Sequence, residues 1–261
     1  VVLGLATLLW YLVRRLRTPL WRLSTRLWQS LAHSPLAQGA AQRFPLLRKL
    51  RIPSVLSGSY LLLDLAAGFL LVLGTVSVFF EIADEVGLDE DLGQFDERLA
   101  GELGANLSDS TLRAFALVTR LGDASTQYVV GITVALILLW SRQRWLALGW
   151  IAAVGGNGLL NRALKAVFHR ERPLHEHGWV METGWSFPSG HASGAVAIYG
   201  MLAYILIRST PSVWHLPVSL SAIGIILLVG FSRVALQVHY FSDVIAGFAS
   251  ASAWLLVCIA A

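Results

Sequence analysis

SRVALQVHYFSD, residues 232–243, joins two apolar blocks at roughly 216–236 and 240–260. The hydrocarbon core of a bilayer takes about 20 apolar residues in one helix, so the blocks read as two spanning helices with a tight turn between them. Ser232, Arg233, His239 and Asp243 gather at that turn. Ionisable residues so close to lipid are costly, and they mark a functional site by default. His239 and Asp243 are four apart and share one face if the segment is helical. A carboxylate on one imidazole nitrogen fixes the tautomer and leaves the other nitrogen free to attack. A purely structural His–Asp pair has the same spacing, so the pair alone decides little.

Outward from this turn the apolar pattern repeats. Of 261 residues, 56% are apolar and 14% charged, against about 25% charged in a soluble domain. The apolar residues come in blocks, which makes lipid the solvent. Ten Trp and six Tyr suit two membrane interfaces, where amphipathic rings settle. Four further blocks lie at roughly 60–80, 126–141, 145–164 and 188–207, and a shorter run covers 1–13. The expected fold is all-α: a polytopic membrane protein of six spanning helices, preceded by one partial transmembrane segment. The lone Cys258 cannot form an intramolecular disulfide and reads as packing. A net charge of +4 does not indicate nucleic acid, because the basic residues cluster beside hydrophobic blocks.

The loops give orientation. Residues 14–52 hold nine Lys or Arg and no acid, whereas 81–97 hold eight acids and no Lys or Arg. The positive-inside rule places 14–52 and Arg142-Gln143-Arg144 in the cytoplasm and 81–125, 165–187 and 237–239 outside. Three domains follow: 1–13, the end of a preceding spanning segment; 14–57, a basic cytoplasmic linker; and 58–261, the six-helix domain. Leu16, Leu20, Leu23, Leu27 and Leu31 alternate with Arg14, Arg15, Arg22 and Arg26, which predicts an interfacial amphipathic helix in the linker. Phe95, Leu99, Leu103 and Leu107 recur every four residues, and Ser108 offers an N-cap. They predict an outer helical hairpin at 94–122 lying against the bilayer, with its acids on a solvated face.

Two more clusters fall at the same ends of the helices as His239. KAVFHRERP holds Lys165, Arg172 and Pro173, and Pro188–His191 reads PSGH. With Arg233, Lys165 and Arg172 put three cations on the side that the positive-inside rule does not favour. An anion site explains that excess: Arg offers a planar fork for phosphate oxygens and Lys a point charge. Snorkelling to lipid headgroups is the plainer alternative. PSGH reads as a helix start, with Pro188 in the first turn, Ser189 as a hydroxyl donor, and Gly190 admitting an anion to the free N–H groups. His169, His175 and His177 beside Glu171 and Glu176 read as a solvated loop or a lip of the site, with no metal. Asn157 and Asn161 read as helix-to-helix hydrogen bonding, and Gly155, Gly156 and Gly158 as close helix contacts.

The spacing Lys-x6-Arg-Pro, Pro-Ser-Gly-His, Ser-Arg-x5-His-x3-Asp resembles the type 2 phosphatidic acid phosphatase superfamily over 165–243, without departure. That superfamily includes lipid phosphate phosphatases, soluble bacterial acid phosphatases and vanadium haloperoxidases. The resemblance implies a six-helix membrane phosphatase and a two-step, metal-independent mechanism with no cofactor. His239 would be the nucleophile, Asp243 its orienter and His191 the general acid. Lys165, Arg172, Ser189, Gly190 and Arg233 would hold phosphoryl oxygens, and Pro173, Pro188 and Ser232 would support them. The implied substrate is a lipid phosphate or diphosphate of the undecaprenyl diphosphate, phosphatidic acid or phosphatidylglycerol phosphate type. The implied location is a bacterial inner membrane, with the site facing the periplasm or exterior. Residues 1–57 look similar to the junction of a DedA-like membrane domain fused to such a phosphatase. A lipid diphosphate-dependent phosphotransferase would use the same residues with another acceptor, and a lipid-binding or transport module would use them without chemistry.

Overall fold

The computed structural model describes residues 58–87, 90–173 and 180–260. The partial segment at 1–13 and the basic linker with its amphipathic helix lie outside these residues. The chain falls into two compact units, Val1–Leu70 and Leu71–Ala261. Helix α1 (Gly58–Asp84) begins in the first. The second continues with α2 (Asp91–Asn106), α3 (Asp109–Val118), a 3-10 turn at Thr119–Gly122, α4 (Ala124–Trp140) and α5 (Arg144–Phe168). Next come α6 (Gly190–Ser209, with a π turn at Val196–Gly200), α7 (His215–Ala235) and α8 (Phe241–Ala260). Among the described residues there is no strand, so the all-α fold expected from the blocks is the observed one.

Five stretches among the described residues are long and apolar enough to cross a membrane: Ala66–Asp84, Asp109–Trp140, Gly190–Ser209, Ser212–Ala235 and Phe241–Ala260. Helix α5, with 25 residues, has the length to cross, about 37 Å at about 1.5 Å per residue. Asn157, Asn161, Arg162 and Lys165 dilute its apolar character. Large side chains such as Val129, Ile132, Leu136, Leu159, Leu228 and Phe231 stay exposed, which a lipid solvent permits and water would penalise. Trp140 and Trp145 are 91% and 85% exposed, flanking the Arg142–Arg144 turn in the manner of an interface belt.

Lipid gives helices no hydrophobic drive to associate, so close contact and polar bonds hold the bundle. Trp150 donates from Nε1 to the Gly131 carbonyl at 2.8 Å, joining α5 to α4. Trp254 donates to the Ala152 carbonyl at 3.0 Å, joining α8 to α5. Of the three glycines expected at a close contact, Gly156 makes one: a Cβ there would lie 2.3 Å from the Trp254 ring. Gly155 and Gly158 have open space beside them, because they turn away from α8. A Cβ on Gly247 would meet the Ser189 carbonyl oxygen at 2.8 Å, so α8 passes directly under the start of α6.

The α2–α3 hairpin covers the helix ends. Ser108 caps α3 by accepting the Thr111 N–H at 3.4 Å, a contribution of about 1 kcal/mol. Leu99 and Leu103 pack on Ala192, Val234 and Val244, and Leu107 and Leu112 on Leu236 and Val238. The apolar stripe expected to lie on the bilayer is therefore spent mostly on protein, while Phe95 remains 44% exposed. The hairpin's acids do not all form a solvated face either. Asp96 is 1% exposed, because Arg170 reaches it at 2.9 Å.

Candidate active site

The site sits where α5, α6, α7 and α8 converge on one end of the bundle. His239 lies in the short turn between α7 and α8 and is buried. Its Nδ1 lies 3.3 Å from Asp243 Oδ2 and 3.1 Å from Ser186 Oγ. Its Nε2 lies 3.1 Å from Arg172 Nη1. A carboxylate only accepts and a guanidinium only donates. Both neighbours therefore require the same tautomer, with the proton on Nδ1 and the lone pair on Nε2. Burial, opposed by Asp243, lowers the His239 pKa to about 3, so the ring is neutral near pH 7.

Asp243 is fully buried and uses both oxygens. Oδ2 accepts the Tyr240 N–H at 2.9 Å and the Ser186 hydroxyl, and Oδ1 accepts Arg170 Nη1 at 2.8 Å. His191, on the first turn of α6, faces the site from the other side. Its Nε2 is 2.9 Å from Asp123 Oδ1 and its Nδ1 is 3.9 Å from Glu182 Oε1.

The cations converge as the sequence predicts. Lys165 donates to the carbonyls of Trp185 and Ser186. Arg172 donates to the carbonyls of Val238 at 2.6 Å and Gly184 at 3.0 Å. Arg233 is fully buried, pairs with Glu182 through Nη2, and donates from Nη1 to Thr119 Oγ1 at 2.8 Å. Its Nε has no hydrogen-bond partner among the described residues. Burial would raise the Glu182 pKa, but Arg233 and His191 hold it below the usual carboxylate range. A carboxylate thus occupies the seat that the cations create for an anion.

Lys165, Arg172, Gly190, His191 and His239 line one cavity of about 490 Å³, with Glu182 at its wall. Ser189, Arg233 and Asp243 stand behind the lining. Ser189 is the N-cap of α6, accepting the Ala192 N–H at 3.5 Å, so its oxygen is already engaged. Pro188 accordingly precedes the cap instead of opening the helix; its carbonyl accepts Asn161 Nδ2 at 3.3 Å. Ser232 bonds the Val229 carbonyl at 2.6 Å and is buried away from the cavity. Pro173 follows Arg172 in the loop after α5, and His175 and His177 lie outside the described residues. His169 ends α5 in a left-handed conformation, with its ring edge-on to Trp185 at 4.9 Å.

Sequence reasoning did not find Arg170, Asp96, Ser186, Glu182 or Asp123. Arg170 carried a readable signal, as a second arginine two residues before Arg172 at the end of an apolar block. Ser186, Glu182 and Asp123 are single polar residues in loops, and Asp96 is one acid of a polar helix, so no spacing distinguishes them.

Fold and site together define a helical membrane protein with a buried His–Asp pair beside a cavity lined by cations. Residues 144–261 match the model of the PAP2 superfamily, so this part of the chain is a PAP2 superfamily domain. It is 35% identical over 133 residues to phosphatidylglycerophosphatase B of Bacillus subtilis (strain 168), covering 50% of this chain and 65% of that protein. It is 32% identical over 123 residues to a lipid A 1-phosphatase of Rhizobium johnstonii, covering 42% of this chain and 47% of that protein. The matches thus span less than two thirds of either relative. A crystal structure of a transmembrane PAP2-type phosphatidylglycerolphosphate phosphatase from Bacillus subtilis superposes with a TM-score of 0.67 at 27% identity. That match covers 72% of this chain and 94% of the other.

Proposed function

We propose that the protein hydrolyses a lipid phosphate or diphosphate through a phosphohistidine, without a metal. The observation that carries this reading is the two-sided hold on His239, which directs an imidazole lone pair into a cationic cavity. In the first step Nε2 attacks phosphorus, the bond from phosphorus to the lipid oxygen breaks, and His191 gives that oxygen a proton. In the second, water attacks phosphorus as His191 takes its proton, the phosphorus–nitrogen bond breaks with its electron pair returning to Nε2, and inorganic phosphate leaves. Lys165, Arg172 and the Gly190 N–H, which line the cavity, stabilise the charge on the transferring oxygens, with Arg233 and Ser189 supporting them from behind.

A lipid substrate is supported by a second, apolar cavity of about 640 Å³ between α4 and α5, which shares Arg162, Gly190 and His191 with the first. An acyl or prenyl chain there would leave its phosphate beside His239. The relatives' names favour a phosphatidylglycerol phosphate or lipid A type of headgroup, with phosphatidic acid and undecaprenyl diphosphate as further candidates. The basic turn at Arg142 and Arg144, at the opposite end of the bundle, supports a site facing the periplasm or exterior.

The test is phosphate release from the purified chain in detergent with EDTA present, over a panel of lipid phosphates. Turnover is expected with wild type, and a loss of about 10³-fold or more with His239→Ala, since the nucleophile is removed. Failure on every lipid, or full activity in His239→Ala, would sink the reading. Labelled phosphate passing to an acceptor lipid instead of solution would make the protein a phosphotransferase.

A further inference from the structure

We propose that Arg170 is the positioning residue for the nucleophile, and that Asp96 on the α2–α3 hairpin holds Arg170 in place. The inference rests on the reading of His239 as nucleophile. Arg170 spans two carboxylates: Nη1 is 2.8 Å from Asp243 Oδ1 and Nη2 is 2.9 Å from Asp96 Oδ2. The side chains of both acids are 0% exposed, and that of Arg170 is 11% exposed. Nη1 also donates to Ser242 Oγ at 2.7 Å, and the guanidinium lies 4.3 Å from the Tyr240 ring centroid. Asp96 in turn accepts the Ser242 N–H at 3.1 Å and the Ser242 hydroxyl.

Two buried carboxylates this close need a shared cation, and one planar fork bonds both in a fixed geometry, which a rotating ammonium on a flexible stem holds less firmly. The division of labour on Asp243 gives the fork its effect. Oδ2 faces His239, Ser186 and the Tyr240 N–H, while Arg170 bonds Oδ1. With Oδ1 anchored, the carboxylate cannot rotate Oδ2 away from the imidazole. Arg170 and Asp96 do not line the cavity. They act through Asp243, and their loss must appear in turnover and not in substrate binding.

The experiment measures kcat and KM on detergent-dispersed phosphatidic acid, or whichever lipid phosphate the panel identifies, for Arg170→Gln, Arg170→Lys, Asp96→Asn and the Asp96→Asn, Arg170→Gln double variant. Arg170→Gln is expected to lower kcat about a hundredfold with KM within about threefold, as for a small misplacement of the attacking group. Arg170→Lys recovers part of the loss. Asp96→Asn lowers kcat about tenfold in the wild-type background and does nothing further in the Arg170→Gln background, because it acts through the same residue. A kcat within threefold of wild type in Arg170→Gln, a loss carried by KM, or additive effects in the double variant each overturn the proposal. If Arg170→Gln does not fold, Asp96→Asn decides: lowered kcat at unchanged KM and thermal midpoint supports it, and unchanged kcat overturns it. Activity surviving in His239→Ala would instead overturn the phosphohistidine reading itself, so the two failures are distinguishable.

Discussion

His239 is bonded on each nitrogen by a partner that permits only one arrangement of its proton. Asp243 and Ser186 accept from the Nδ1 N–H, and Arg172 donates toward the Nε2 lone pair. Burial keeps this ring neutral far below the ordinary histidine range, to about pH 3. The sign of the stability effect follows. An unfolded chain protonates His239 below about pH 6.5, whereas the folded chain resists until about pH 3. Between those values the unfolded state binds more protons, so stability falls as pH falls; above the window this residue adds no pH dependence. The thermal midpoint in detergent should therefore decline from about pH 6.5 towards about pH 4, and His239→Asn should flatten part of that slope. An identical slope in the variant would contradict the buried neutral imidazole.

At the scale of elements, the loop before α6 brings in the residue with the plainest competitive effect. Val180 to Pro188 supplies Ser186 to the His–Asp pair and Glu182 to Arg233. A phosphoryl group approaching Arg233 must displace or repel the Glu182 carboxylate. Glu182→Gln removes that charge and should tighten inhibition by inorganic phosphate about three- to tenfold. The variant should also lose some thermal stability, because Arg233 is buried and gives up its counter-charge. Titration of phosphate against turnover checks the first part, and weaker inhibition would contradict it. The start of α6 depends on similar close work by α8: Gly247 lets the Ser189 carbonyl sit against its helix, which sets the height of Gly190 and His191 beside the cavity.

At the scale of the molecule, the spanning helices and the gathering of Lys165, Arg172, His191, Arg233 and His239 were legible for the same reason. Lipid tolerates exposed apolar blocks and punishes isolated charge, so both stand out along the chain. What escaped was polar structure inside polar segments. Asp96 is one acid among eight in 81–97, and its partner Arg170 is 74 residues away; no local spacing separates it from its solvated neighbours. Pro188 misled by one step because Ser189 takes the cap, which the tetrapeptide alone does not reveal. The hairpin's stripe was readable as amphipathic, but periodicity does not say whether lipid or protein covers it. Its packing of Leu99 and Leu103 against α7 and α8 ties this acidic segment to the turn that carries His239. A phosphoryl group carried on His239 can be trapped. The purified chain is mixed with a lipid phosphate bearing a radiolabelled terminal phosphate, quenched in alkali within the first turnover, digested and mapped. Label is expected on His239, stable in alkali, lost in acid and missing from His239→Ala. Label on any other residue, or equal labelling of His239→Ala, would contradict it.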